Sequence, residues 1–309
     1  MRRKVIQIAG KTLLISLPSK WAKQTGIIKG QELEVTPKGS TLLVSTTAPG
    51  QPKTISVDCA DASVGVNRLM GALYKAGYDD IQIRFRTQQQ YTDIKRCLDK
   101  TCEGLQIVEQ NQRTLRIRST SRLSEEHYDA VLRRLLHAIV SMVDDAIKYA
   151  LVGDVHGLAE MELRDEDINR LADFCRRMLN TTGNLSRLES NNQYHIVEQI
   201  ERVGDQVKEL GRSRTHLRLD SKKERLLDRI PVYTRAFESL FVEFSMAKFE
   251  SFLEEGRRLR DLLVEWMQAS PKDAMSISPL LGIVTTLREC NGSVLVRDVA
   301  AERTQPIHP

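Results

Sequence analysis

The chain has 309 residues, of which 41% are hydrophobic, 28% charged and only 5% aromatic, and its formal net charge is +5. Length predicts two or three domains; no apolar run approaches the roughly 18 residues of a membrane span, and the arginine-rich start lacks a signal peptide's apolar stretch. The five cysteines are odd in number and show no C-x-x-C pair, which argues against a disulfide framework or a zinc site and for a reduced, cytoplasmic setting.

Charge is unevenly spread. Residues 1–50 carry 8 basic and 2 acidic groups, residues 51–120 carry 11 and 8, and residues 121–309 carry 27 and 31. The first carboxylate of the chain is Glu32. Such asymmetry predicts a module that faces a polyanion, attached to a body with another role.

In that basic segment, apolar Val5, Ile6 and Ile8 predict a strand, Gly10 a turn, and Leu13 to Leu17 a second strand. Pro18 and Ser19 open a short helix over Lys20 to Thr25, with Ser19 as the expected cap and Gly26 as the C-terminal stop. Lys29 and Gly30 then turn the chain into a further hairpin ending at Leu42, Leu43 and Val44.

The order of these elements, with Leu17, Pro18, Trp21, Gly26, Ile27, Gly30 and Val35 at its centre, resembles the SpoVT/AbrB family of swapped-hairpin DNA-binding domains over about the first forty-five residues. That length is too little to bury a core, and dimerisation by exchanging hairpins solves the problem. The expected partners are therefore a second copy of the chain and double-stranded DNA. The paired module would present two sets of Arg2, Arg3, Lys4, Lys11, Lys20 and Lys23 to phosphates. Trp21 is assigned to the dimer core. The rival reading is a basic terminus that only dimerises.

Residues 46–53, with Pro49 and Pro52, read as a linker. Thr54 to Val57 predicts a strand. Val66, Leu69, Met70, Leu73 and Tyr74 have helical spacing up to Gly77, and Ile81, Ile83 and Phe85 alternate with polar residues as a strand does. Tyr91 to Thr101 is helical in pattern, and two strands flank Asn111. The expected unit is a small βαβαββ domain over 54–119, without a catalytic constellation.

From Ser124 the pattern is helical. Val131, Leu135, Ala138, Met142 and Ala146 recur at steps of three or four until Gly153. A second helix is expected from Asp154 to about Leu188, a third from about Asn191 to Arg214, a fourth opening at Pro231, a break at Gly256, and a last helix after Pro279. Ala146 and Gly153 are echoed by Phe249 and Gly256, which suggests two three-helix halves.

That doubled pattern, with Arg164-Asp165-Glu166-Asp167-Ile168-Asn169-Arg170-Leu171 and Glu201-Arg202-Val203-Gly204-Asp205, resembles the PhoU family of phosphate-uptake regulators over residues 121–305. The three-part order resembles its archaeal members with an AbrB-like N-terminus. The expected architecture is thus multidomain α+β: an AbrB-like domain over 1–47, the connector over 54–119 and a PhoU-like all-α domain over 121–305.

On a helix, residues four apart share a face, so Asp165 with Asn169 and Glu201 with Asp205 each aim two oxygens one way. Two such helices side by side suit Mg, Ca, Mn or Fe, and the resemblance implies this use. Asn169 brings no charge, and Glu289-Cys290-Asn291-Gly292-Ser293 stands where the second acidic motif would recur. One site, in the first half, is expected; the alternative is a solvated acidic surface. No Ser/His/Asp set, P-loop or G-x-G-x-x-G is present, and the six histidines lack metal-ligand spacing, so no enzyme is expected. The functional expectation is a dimeric transcription regulator linked to phosphate uptake or homeostasis. The alternative is an adaptor that contacts a phosphate transporter or a sensor kinase without binding DNA.

Overall fold

The computed structural model describes residues 2–8, 10–38, 41–46, 52–62, 65–120, 125–181, 187–213 and 219–303. The expected helix start at Ser124, most of the expected linker and residues 182–186 and 214–218 lie outside them. The chain forms two compact units, residues 1–52 and residues 53–309.

In the first unit, β1 (Ile6–Ile8) pairs antiparallel with β2 (Thr12–Leu14), Ile6 opposite Leu14. The turn between them runs through Gly10 at φ 72°, a left-handed conformation that glycine adopts without steric cost. Helix α1 (Ser19–Gln24) follows Pro18, whose φ of −65° is already helical. Pro18, not Ser19, holds the cap position, and no side chain caps the helix start. At the other end the Thr25 hydroxyl donates to the Trp21 carbonyl at 2.8 Å, and Gly26 at φ 70° turns the chain away. β3 (Glu34–Lys38) and β4 (Thr41–Ser45) form a second antiparallel hairpin, Glu34 opposite Ser45. No described residue of this unit is buried.

The second unit begins with a four-stranded sheet in the order β5-β6-β8-β7, made of β5 (Thr54–Asp58), β6 (Asp80–Arg84), β7 (Leu105–Gln110) and β8 (Thr114–Ser119). β5 and β6 are parallel and the other pairs antiparallel. The parallel pair needs a crossover, which α2 (Val66–Lys75) supplies, and α3 (Gln88–Lys100) links β6 to β7. Ile81, Ile83, Leu115 and Ile117 are buried with Met70, Leu73, Tyr74 and Ile94 in one core. Period-two alternation turns Gln82, Arg84, Arg116 and Arg118 to the other, polar face.

Helices follow: α4 (Glu125–Val152), α5 (Val155–Ala159), α6 (Met161–Thr181), α7 (Arg187–Ser213), α8 (Ser221–Val242), α9 (Met246–Ala269), α10 (Ala274–Glu289) and α11 (Asn291–Arg303). α4, α6 and α7 pack on one another, and α8 and α10 both pack on α9. Contacts of α7 with α10 and of α4 with α8 merge both groups around one apolar core.

Four boundaries differ from the sequence pattern. The expected second helix is broken at Glu160 into α5 and α6, because Asp154 accepts from the His156 and Gly157 amides and starts a separate turn. Pro231 and Pro279 lie inside α8 and α10 and are buried there, so apolar packing overrides the lost amide. Gly256 is also no break. It sits within α9 where a Cβ would collide with Tyr233 Oη, so it lets two helices approach, whereas Gly153 at φ 70° ends α4. The two glycines of the apparent repeat therefore have unrelated roles.

The sheet module is held to the bundle through α6. Arg177, only 2% exposed, donates Nη1 to the carbonyls of Tyr74 and Tyr78, both at 2.9 Å, and Nη2 to Asp79 Oδ1 at 2.6 Å. Asn180 donates to the Lys75 carbonyl at 2.8 Å, and Phe174 packs against both apolar cores.

Candidate functional site

The six candidate DNA-binding cations all lie on the first unit and are all exposed. Arg2, Arg3 and Lys4 precede β1, and Lys11 stands at the tip of the first hairpin. Lys20 and Lys23, three apart on α1, share a helix face. Among the described residues none of the six pairs with a carboxylate. In the second unit, by contrast, Arg84, Arg116, Arg118, Arg164, Arg176 and Arg177 all have acidic partners.

The same unit exposes ten large apolar side chains, Val5, Ile6, Ile8, Leu13, Leu14, Ile15, Ile28, Val35, Leu42 and Leu43, with Leu13 at 67%. Scattered apolar residues are ordinary on a protein surface, but this many on about forty-five residues, with none of the described ones buried, give the unit little hydrophobic driving force of its own. Trp21 is half-buried.

In the bundle, the acidic motifs occupy α6 and α7, which pack side by side. Asp165 is 3% exposed; its Oδ2 accepts from Asn169 Nδ2 at 2.9 Å and from Lys208 Nζ at 2.6 Å. The same ammonium contacts Asp205. Asp165 Oδ1 has no partner, and Gly204 makes room for it, since a Cβ there would lie 3.2 Å from that oxygen. Glu201, one turn before Asp205, faces Arg176 Nη2 at 3.5 Å, and Arg176 also meets Asp173 at 2.6 Å and Glu198 at 2.5 Å.

Three of the four candidate metal-binding residues, Asp165, Asn169 and Asp205, therefore come together around Lys208, and Glu201 belongs to a neighbouring cluster around Arg176. The ammonium stands among the donors where a cation would sit. As arranged, this set does not fit a bound metal, and among the described residues no group of three or more His, Cys, Asp or Glu is placed to hold one.

Burial pushes the Asp165 carboxyl above the ordinary carboxylate value, against the pull of Lys208. Burial raises Glu201 likewise, opposed by Arg176. Burial works against the charge of Lys208, yet its bonds to Asp165 and Asp205 outweigh it and hold the ammonium above its usual value. Sequence reasoning missed Lys208 and Arg176. The spacing of Asp205 and Lys208, three apart on a helix, was a usable signal for one contact; the contact with Asp165 crosses from α7 to α6 and has no sequence signal.

No helix among the described residues is long and apolar enough to cross a membrane. No family model matches the chain, and no curated protein matches it significantly.

Proposed function

We propose that the chain is a DNA-binding transcription regulator, with residues 1–47 acting as an AbrB-like swapped-hairpin module and the helical region as a PhoU-like bundle of two three-helix halves. One observation carries the reading: among its described residues the first unit buries none, exposes ten large apolar side chains and holds six cations without acidic partners. A second copy of the chain would cover the apolar surface and complete a core. At about 25 cal/mol for each Å² of apolar surface covered, that burial is the main driving force such a small module can draw on. Pairing would also double the cations, and unpaired lysines and arginines are the groups that release counterions from phosphates.

Resemblance of the acidic motifs on α6 and α7 to the PhoU pattern supports a link to phosphate uptake or homeostasis. In this reading the bundle changes its ligand or partner state and alters the spacing of the paired DNA-binding halves. A mobility shift of random-sequence duplex at several salt concentrations tests it. The full chain should bind with a steep salt dependence, and a chain beginning at Lys53 should not. Equal binding by both removes DNA recognition from the first unit; no binding by either favours the adaptor, which contacts a transporter or a kinase instead.

A further inference from the structure

A cavity of about 710 Å³ opens between the first turns of α8 and the last turns of α9, away from the acidic motifs. Its size falls within the range of small-molecule sites, roughly 300–1,000 Å³. Leu226, Leu262, Trp266 and Ala269 give it an apolar floor, and Lys222, Lys223, Arg225 and Arg229 outnumber Asp220 and Glu265 on its rim.

Several of the rim charges are already committed. Asp220 accepts from the Lys222 and Lys223 amides, both at 2.9 Å, and Arg229 is held by Glu255 at 2.8 Å. Lys223 stands 5.2 Å above the Trp266 ring. Lys222 and Arg225 are exposed, with no ion pair among the described residues. Trp266 is only 5% exposed, and its buried Nε1 has no hydrogen-bond partner.

From this we infer that the cavity is a binding site for a small anion with an apolar body: its charged head on Lys222 and Arg225, its body on Leu226, Leu262 and Trp266. A nucleotide and an acyl or aryl carboxylate share that chemistry. A bare inorganic anion does not, because it would leave the apolar floor wet. Neither assignment depends on DNA binding, and the reporting indole, Trp266, lies outside the first unit.

The chain has two tryptophans, so Trp21→Phe leaves Trp266 as the sole indole emitter of the full-length protein. That variant is titrated in parallel with adenosine diphosphate, decanoate and inorganic phosphate. A saturable change in Trp266 emission is expected with one of the first two, which identifies the source as nucleotide or acyl anion. Replacing Lys222 and Arg225 together by Ala should weaken it at least about tenfold, as expected for charge-assisted bonds. Ala269→Phe, at an exposed position on the cavity wall, should abolish it with the helical circular dichroism unchanged. Silence with both organic anions, an undiminished response in the rim variant, or an equal response to inorganic phosphate would overturn the assignment.

Discussion

Arg177 of α6 places Nη2 2.6 Å from Asp79 Oδ1, just ahead of β6, and so ties the helical bundle to the sheet module through one fully enclosed guanidinium. The same group satisfies the carbonyls of Tyr74 and Tyr78 and lies 5.0 Å over the Tyr74 ring. Arginine suits this position because its planar fork makes three bonds from one side chain.

Replacing Arg177 by Met keeps most of the buried volume but removes the charged donor from Asp79 Oδ1 and one donor from each of two carbonyl oxygens. A loss of about 3 kcal/mol is expected, the scale for removing one partner of a buried charged pair. Urea unfolding of the full chain measures it, and the transition should broaden as sheet module and bundle lose their coupling. A loss under about 1 kcal/mol would make the contact incidental.

If the first unit binds DNA as proposed, changing Arg2, Arg3 and Lys4 together to Ala should weaken binding to all duplex sequences alike. The slope of log K against log salt should flatten by about 0.9 for each phosphate that is no longer neutralised. Binding measured at four or more salt concentrations gives that slope. Loss of sequence preference at constant slope would place these side chains at base edges instead.

Lys208→Met removes the cation that Asp165 and Asp205 share. Two carboxylates then face each other, one of them buried, and stability should fall by about 3 kcal/mol. Because the donors are then free to accept another cation, added Mn²⁺ or Mg²⁺ should raise the melting temperature of the variant while leaving that of the unaltered chain in place. A variant indifferent to both ions would show that the two helices do not form a metal site even when vacated.

Asp80 provides a pH signature. Arg116 bonds it through Nε at 3.0 Å and Nη2 at 2.9 Å, and Arg118 Nε adds a third contact at 2.9 Å. The Arg116 bonds first, opposed by burial, hold its carboxyl below the ordinary value. With the folded pKa under the unfolded value of about 3.9, the stabilisation is complete above about pH 4 and is lost as pH falls through the folded pKa. Asp80→Asn should therefore cost about 1–2 kcal/mol near pH 7, after discounting for the partly exposed arginines, and less near pH 2. Parallel denaturant titrations at the two pH values check it; a pH-independent difference would assign the effect to packing.

Local order was legible wherever a repeat or a backbone constraint acts within a few residues. Ile81, Gln82 and Ile83 alternate because a strand's side chains point to opposite faces, and β6 spans them. Pro18 fixes φ through its ring, Gly10 and Gly26 reach positive φ because they carry no Cβ, and each sits at the helix entry or turn that the sequence implied. The basic, acid-poor character of the first unit is likewise composition alone.

Other features depended on what a residue meets across the fold. Gly256 and Gly153 look alike in sequence, but Tyr233 crosses the helix at one and the backbone reverses at the other. Pro231 and Pro279 read as helix starts, yet burial against neighbouring helices keeps α8 and α10 continuous through them. The acidic faces of α6 and α7 were visible as spacings; their occupant, Lys208, was not, because the length and direction of a lysine on a neighbouring helix decide which oxygens it reaches. Backbone chemistry and short-range periodicity act within one segment and can be read there. Close approach, burial and charge pairing exist only between segments, and only the tertiary structure decides them.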